Sequence, residues 1–434
     1  MLEPLYTADE MKAAEAGHDV ETMMQRAGAA VAEEAVRRFP GARRIAVYAG
    51  RGANGGDGKI AAGLLRAQGR EIVEDEPDLV LDALLGTGLR GAPRDDAAVT
   101  IERINESGAP VLAVDIPSGV NASTGEAAGP AVRADVTVTM HGRKVGLAVA
   151  PGLFHSGEVV VADIGLAPRD TEHRLVTEEI LGRVPRKQSG DNKYSAGSVL
   201  VVGGARGMTG AATLAARAAF RADSGYVMIA APEESLPVLE TLVVEAVKRP
   251  LDDVFDAAER ATALALGPGL GRARDRNELV RKLLRESDLP AVVDADALYQ
   301  LEPFERSAPT VLTPQSGELG RLLGEESKWV DAHRLEALSR AVEKYNCVVL
   351  LKGADTLIGA PGSGAWVVGD NAPQLATAGT GDVLTGIVAA FLAKGMDARE
   401  AAAAAAVAHR RAARVHRRGL VAGDLIDALP QVLE

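Results

Sequence analysis

The sequence predicts an α/β protein of two domains, each a mostly parallel sheet covered by helices. Short apolar runs alternate with amphipathic or Ala-rich segments through most of the 434 residues, and nearly every apolar run ends in glycine or an acid. The polar stretch 167–192 interrupts this alternation, so the expected domains are 1–168 and 169–434.

In the first domain, Thr7-Ala8-Asp9-Glu10 reads as a helix cap, and Met23, Met24, Ala27 and Val31 recur at helical spacing as core-facing residues. Residues 45–49 form a short strand, and the loop 50–58 opens a helix running to about Gln68. Strand, glycine loop and helix is the dinucleotide-binding arrangement, although a lone Gly-rich turn is weak evidence of a ligand. Asn54 and Asp57 strengthen it, because an amide carbonyl and a carboxylate at a strand end suit a hard monovalent cation and sugar hydroxyls. Two further strands, 79–83 and 111–115, lead into the loops 84–91 and 116–119. In a parallel sheet those carboxyl ends share one crevice, where Asn54, Asp82, Asp115 and Ser118 meet. Strands at 136–140 and 158–163 complete the domain, with Lys144 between them.

The second domain repeats the pattern, with strands at 198–202, 263–266, 291–294, 311–314 and 348–351. Glycine or acidic loops follow them at 203–210, 267–271, 294–297, 314–318 and 352–356. The last loop is Ala376-Thr377-Ala378-Gly379-Thr380-Gly381-Asp382, which runs into an apolar helix. Its glycines permit a tight turn, and the free N–H groups at the helix start hold an anion. Asp382 falls in that first turn, where the helix dipole favours its ionised form by roughly 0.3–1 kcal/mol. A carboxylate base beside a phosphate site points to phosphoryl transfer or elimination. Lys352 supplies a point charge for phosphates; Asp294 and Asp296 hold Mg²⁺ or nucleotide hydroxyls, or else cap the helix that follows.

Composition excludes other classes. A net charge of −12 and 3% aromatics leave neither a basic footprint nor stacking platforms for nucleic acid or an anionic membrane. One cysteine, Cys347, in an apolar run permits no intrachain disulfide and indicates a reducing compartment. No signal segment or membrane-spanning run is present, so a cytoplasmic protein is expected. His409 and His416, seven apart on a helix, read as exposed polar positions. Arg410, Arg411, Arg414, Arg417 and Arg418 read as a solvated or subunit-facing surface, and a homo-oligomer is expected. There is no GxxxxGK[ST] loop, HExxH pair or GxSxG elbow.

These motifs carry a resemblance over nearly the whole chain. Ala53-Asn54-Gly55-Gly56-Asp57-Gly58, Asp82-Ala83-Leu84-Leu85-Gly86-Thr87-Gly88 and Asp115-Ile116-Pro117-Ser118-Gly119 resemble NAD(P)H-hydrate epimerase, a shortened Rossmann-like three-layer domain. Lys193-Tyr194-Ser195, Gly203-Gly204, Gly267-Pro268-Gly269-Leu270-Gly271, Lys352-Gly353 and Gly379-Thr380-Gly381-Asp382 are similar to the ADP-dependent NAD(P)H-hydrate dehydratases, a ribokinase-like α/β/α fold. The domain order matches the bacterial bifunctional nicotinamide nucleotide repair family. The resemblance implies that Asn54, Asp82 and Ser118 bind K⁺. It also implies that Ala53, Asn54, Gly55, Gly56 and Asp57, the loop Gly86, Thr87, Gly88, Leu89, Arg90, Gly91 and Ala92, and a catalytic Asp115 hold the hydrated nucleotide for epimerisation at C6. In the second domain it implies that Lys352, Gly353, Ala354, Asp355, Thr356 and Gly381 bind the adenine nucleotide. Ala211, Gly269, Gly271, Gln315 and the catalytic Asp382 would meet the substrate. The implied chemistry is phosphorylation of the C6 hydroxyl from ADP, with Mg²⁺, followed by loss of phosphate to restore NAD(P)H and leave AMP.

The chain departs from the family pattern at three places. Ala53 stands where the family usually has Asn, Gln315 where it usually has a substrate-contacting His, and only the ten positions 69–78 join the first helix to the next strand, where a further strand and helix normally fit. Other readings compete: a ribokinase-type small-molecule kinase, a non-catalytic nucleotide-binding sensor whose shortened first domain has lost activity, and a dehydratase with an inactive scaffold as its first domain.

Overall fold

The computed structural model describes residues 2–369 and 372–434, which divide into two compact units. One comprises Glu3–Leu175 with Asp331–Leu335, and the other Leu2, Val176–Val330 and Glu336–Glu434. Two short strands, Leu2–Leu5 and His173–Val176, straddle the points where the chain leaves one unit for the other.

The first unit is built on six parallel strands: β1 (Arg44–Ala49), β2 (Glu71–Val73), β3 (Leu79–Ala83), β4 (Val111–Val114), β5 (Val136–Met140) and β6 (Glu158–Ala162). Their order is β2-β1-β3-β4-β5-β6. The central strands β3, β4 and β5 are buried at every position, as expected where helices cover both faces of a parallel sheet. The ten-residue segment after the first helix is not bare loop, because it contains β2, three residues paired with Arg44–Ala46 at the sheet edge. The shortening therefore removes the expected helix but leaves a remnant of the strand.

In the second unit the strands are β7 (Ser198–Val202), β8 (Tyr226–Ala231), β9 (Val247–Pro250), β10 (Ala263–Leu266), β11 (Ala291–Val293), β12 (Thr310–Leu312), β13 (Val348–Leu351), β14 (Thr356–Ala360) and β15 (Ser363–Val368). They run in the order β15-β14-β13-β12-β11-β10-β7-β8-β9, parallel from β13 to β9, with β14 and β15 antiparallel at the other end. The core is organised by helix Thr380–Ala393, buried at every position from Val383 to Ala393. A helix that is apolar on all sides must be covered on all sides. Its tightest neighbour is helix Thr209–Arg221, where a Cβ added at Gly386 would stand 2.2 Å from the carbonyl oxygen of Ala215. Among the described residues no helix is long and apolar enough to cross a membrane.

Candidate functional site

In the first unit the carboxyl ends of β1, β3 and β4 converge as the alternation of the sequence requires. Tyr48 of β1 is level with Asp82 of β3, which is level with Ala113 of β4. Asp82, fully buried, accepts from the Ser118 hydroxyl at 2.6 Å and from the Ser118 amide at 2.8 Å. The Ser118 hydroxyl accepts from the Leu85 amide at 2.8 Å, and the carbonyl of Leu85 accepts from Asn54 Nδ2 at 2.8 Å. Asn54, Asp82 and Ser118 are thus one connected cluster. The other end of the Asn54 amide, Oδ1, is buried with no hydrogen-bond partner among the described residues. Burial pushes the Asp82 carboxyl up to about 6, against the Ser118 hydrogen bonds that pull it down.

Asp115 has a left-handed backbone, φ 66°, and its Oδ1 accepts from the Met140 amide at 3.0 Å and the Thr139 hydroxyl at 3.2 Å. The ammonium of Lys144, itself fully buried, ion-pairs with the same carboxylate and also donates to Thr139 Oγ1 and to the carbonyl of Met140. Asp57 is buried nearby and pushed up to about 7, first by desolvation, then by the charges of Asp115 and Glu15; Lys144 pulls it down.

A cavity of about 810 Å³ opens onto this cluster. Ala53, Asn54, Asp57, Asp115, Gly86, Thr87, Gly88, Leu89, Arg90 and Ala92 line it; Gly55, Gly56 and Gly91 do not. Gly55 and Gly56 are packing positions instead: an added Cβ would stand 2.0 Å from the Gly50 carbonyl oxygen and from Met24 Cε, respectively. Met23 packs against the core that holds Ala27 and Val31 and also borders the cavity, whereas Met24 is half-buried and lines the cavity beside Glu15 and Val20.

In the second unit the turn expected at 376–382 is present. Gly379 has φ 87°, a conformation open to glycine at little cost, and helix Thr380–Ala393 starts immediately after it. Lys352, at the end of β13, donates to Asp294 Oδ1 at 2.7 Å, and the Thr385 hydroxyl donates to Asp294 Oδ2 at 2.6 Å. Lys352 lies 4.0 Å from Glu318, which accepts from the Gln315 amide at 2.8 Å. Asp296 accepts from the Gly271 amide at 3.0 Å and from Arg272 at 2.8 Å. A Cβ at Gly269 would stand 3.1 Å from the Cβ of Ala211, and one at Gly381 would stand 3.5 Å from Lys352 Nζ. Asp382 is half-buried among these groups and pushed up to about 7, mainly by desolvation and the charge of Asp294, with Lys352 opposing. The helix start that favours its ionised form is therefore outweighed.

Two expectations from sequence are corrected here. His409 is not an exposed position: it is 6% exposed, pushed down to about 3 by burial, and its Nε2 meets the carbonyl of Thr380 at 2.8 Å. Arg410 does not belong to the solvated basic face either, being 5% exposed and donating to the carbonyls of Gly353 and Ala354 and to Thr356 Oγ1. Arg414 of that set does face solvent, paired with Glu178. The all-alanine context of helix Ala398–Ala412, buried at twelve positions, was the signal that its polar residues sit in the core.

Known proteins agree with this architecture. A family model described as NAD(P)H-hydrate dehydratase matches residues 199–431, and one described as YjeF-related protein N-terminus matches 20–74 and 68–146. The two N-terminal matches meet at the shortened segment. The chain is 36% identical to the bifunctional NAD(P)H-hydrate repair enzyme of Moorella thermoacetica, covering 95% of this chain and 92% of the relative. It is 40% identical to that of Salinibacter ruber, covering 82% and 72%. Among solved structures, the ADP/ATP-dependent NAD(P)H-hydrate dehydratase of Bacillus subtilis, co-crystallised with ATP and Mg²⁺, matches at 30% identity and TM-score 0.55, over 59% of this chain and 96% of that one. A ribokinase-like superfamily protein of Enterococcus faecalis shares the fold at 22% identity and TM-score 0.55, over 62% of this chain and 97% of that one. The chain therefore belongs to the bifunctional NAD(P)H-hydrate repair enzyme family, with an epimerase-type domain followed by a dehydratase-type domain.

Proposed function

We propose that the chain repairs hydrated NADH and NADPH: residues 1–168 interconvert the R and S hydrates, and residues 169–434 return the S hydrate to the reduced dinucleotide at the expense of ADP, giving AMP and phosphate. The carrying observation is Asp382, raised to about 7 at the N-terminus of a buried helix, within the electrostatic reach of Lys352 and Asp294. A carboxylate poised near neutrality accepts a hydroxyl proton well, and the N–H groups of the same turn favour a phosphoryl group. In this reading Asp382 takes the C6 hydroxyl proton as the phosphoryl group transfers, Lys352 and the loop Gly353, Ala354, Asp355 and Thr356 hold the nucleotide with Gly381, and Ala211, Gly269, Gly271 and Gln315 border the substrate. Phosphate then leaves C6 with the C6–O electron pair while a proton is lost from C5, so the C5–C6 double bond of the reduced nicotinamide is restored.

Asp294 and Asp296 fit Mg²⁺ poorly, because their oxygens already accept from Lys352, Thr385, Gly271 and Arg272. Magnesium is proposed only as the counterion of the nucleotide's phosphates. K⁺ fits better. The buried, partnerless Asn54 Oδ1 is the open oxygen donor here, suited to a hard monovalent cation, and the buried Asp82 carboxylate and Ser118 hydroxyl beside it supply charge and further oxygens, although both Asp82 oxygens already accept from Ser118. Bound there, K⁺ would offset the charge of Asp82 and fix the Asn54 loop.

Epimerisation at C6, a carbon bearing both the hydroxyl and the ring nitrogen, requires a proton taken from oxygen and one given to nitrogen as the C6–N bond opens, then the reverse from the other face. Asp115, held by Lys144, serves as the acceptor, and Asp57, protonated below about 7, as the donor. The test is to incubate the chain with hydrated NADH and ADP and follow the return of reduced-nicotinamide absorbance. Accumulation of a stable phosphorylated product would instead make the second domain a kinase.

A further inference from the structure

Two consecutive residues of helix Ala398–Ala412 hold both loops of the proposed nucleotide site. Arg410 Nη2 donates to the carbonyls of Gly353, at 3.0 Å, and Ala354, at 2.7 Å, and to Thr356 Oγ1 at 3.0 Å. His409 Nε2 lies 2.8 Å from the carbonyl of Thr380, so this nitrogen carries the hydrogen and donates. Successive side chains on a helix diverge by about 100°, which lets neighbouring residues reach two different loops.

The chemistry of the pair is specific. A buried guanidinium is costly unless its donors are met, and a helix that needed only to pack would carry an apolar residue there. Nη2 of Arg410 instead meets three acceptors of a single loop while Nη1 reaches the carbonyl of Gly369 at 3.5 Å, so the rigid planar group ties the backbone of 353–356 to the end of β15. Thr380 stands between Gly379, which has φ 87°, and Gly381. Its carbonyl sets the plane of the peptide that carries the Gly381 N–H, so His409 orients the start of the anion-binding turn. The Thr380 hydroxyl adds bonds to the carbonyls of Leu375 and Thr377, at 2.8 and 2.9 Å, on the other side of that turn.

We propose that His409 and Arg410 are positioning residues for the nucleotide-dependent step, Arg410 shaping the loop that receives ADP and His409 aiming the turn that carries Asp382. This rests on the reading that residues 352–356 and 381 take the adenine nucleotide.

The test uses the full chain, with ADP affinity from calorimetry and steady-state kinetics on hydrated NADH. Arg410→Lys keeps the charge but not the fork, and it is expected to weaken ADP binding about tenfold or more, leaving the KM for the hydrated nucleotide within about twofold. His409→Leu is expected to lower kcat at least about tenfold and to weaken ADP binding less than the Arg410 variant does, and His409→Gln, which restores an N–H donor at similar reach, to recover most of the kcat. Melting temperatures identify folded variants; if Arg410→Lys does not fold, Arg410→Gln is read in its place, and the His409 pair stands independently. A folded Arg410 variant with ADP affinity within about twofold of the parent, or a His409→Leu variant that keeps its kcat, overturns the proposal. A parent chain that binds no ADP overturns instead the nucleotide-site reading beneath it.

Discussion

Lys352 Nζ lies 2.7 Å from Asp294 Oδ1, while Asp294 Oδ2 accepts from Thr385 at 2.6 Å, so the lysine at the end of β13 is tied through one buried carboxylate to the helix that carries Asp382. Asp294 is, after desolvation, the largest influence raising Asp382. Asp294→Asn removes that charge and keeps the shape, so the Asp382 carboxyl is expected to ionise at lower pH. The rise of dehydratase kcat with pH should move to lower pH in this variant. A profile that stayed in place, or moved upward, would separate Asp294 from the tuning of Asp382.

Asp382→Asn tests the base itself. Loss of general-base catalysis costs typically about 10²–10⁴-fold, so dehydration should fall by that order while ADP still binds. The same change should stabilise the fold. Because burial raises the Asp382 carboxyl from 3.8 to about 7, the folded state binds more protons than the unfolded one between those values. Stability therefore falls as pH rises through that window, and the cost is complete above it. The variant lacks this cost, so its melting temperature should exceed the parent's at pH 8 and match it at pH 4. More than a third of parental turnover would reduce Asp382 to a helix-start residue.

Gln315 is exposed, and its backbone amide donates to Glu318 at the start of helix Ser316–Leu323. Its side chain still donates and accepts, so having Gln where the family has His should cost at most about one hydrogen bond, roughly 0.5–1.5 kcal/mol. Gln315→His is expected to tighten hydrated-nucleotide binding by up to about tenfold or leave it unchanged, as measured by the KM. Loss of activity would place this loop away from the substrate.

Much of this architecture was legible because parallel sheets bury their strands on both faces and put glycine and acid at the carboxyl ends. Asp82, Asp115, Ser118, Asp294 and Lys352 fall at such ends or in the turns after them, and Asp382 lies in the first turn of helix Thr380–Ala393. What the sequence hid was long-range pairing between side chains. Lys144 looks like an ordinary loop residue until its ammonium is seen on Asp115, and Arg410 looks like one of five surface arginines until the loop 353–356 folds over it. The short strand β2 escaped notice because Glu71–Val73 is three residues long and only half-buried, too brief for a period-2 pattern.

The shortened first domain gives the last prediction. The sheet has β2 at its edge, and the connected cluster of Asn54, Leu85, Ser118 and Asp82 lies at the carboxyl ends of the inner strands β1, β3 and β4, in the helix start and loops that follow them, so losing a covering helix does not dismantle it. The cavity still presents Asp57 and Asp115 together. Epimerase activity is therefore expected to persist, with weakened substrate affinity from the missing Asn at Ala53 and with a dependence on K⁺ through Asn54 and Asp82. Asp57 is raised to about 7 and acts in its protonated form, so the epimerase rate should fall as pH rises through that value, opposite in direction to the dehydratase. The measurement supplies the R hydrate, which the second domain does not use, and follows its conversion with and without K⁺ across pH 5.5–8.5, values spanning about 1.5 units either side of the expected midpoint. Asp115→Ala and Asp57→Asn serve as controls, each expected to lose about 10²–10⁴-fold. Conversion no faster than the spontaneous rate under every condition would make the first domain a scaffold and leave the chain a dehydratase alone.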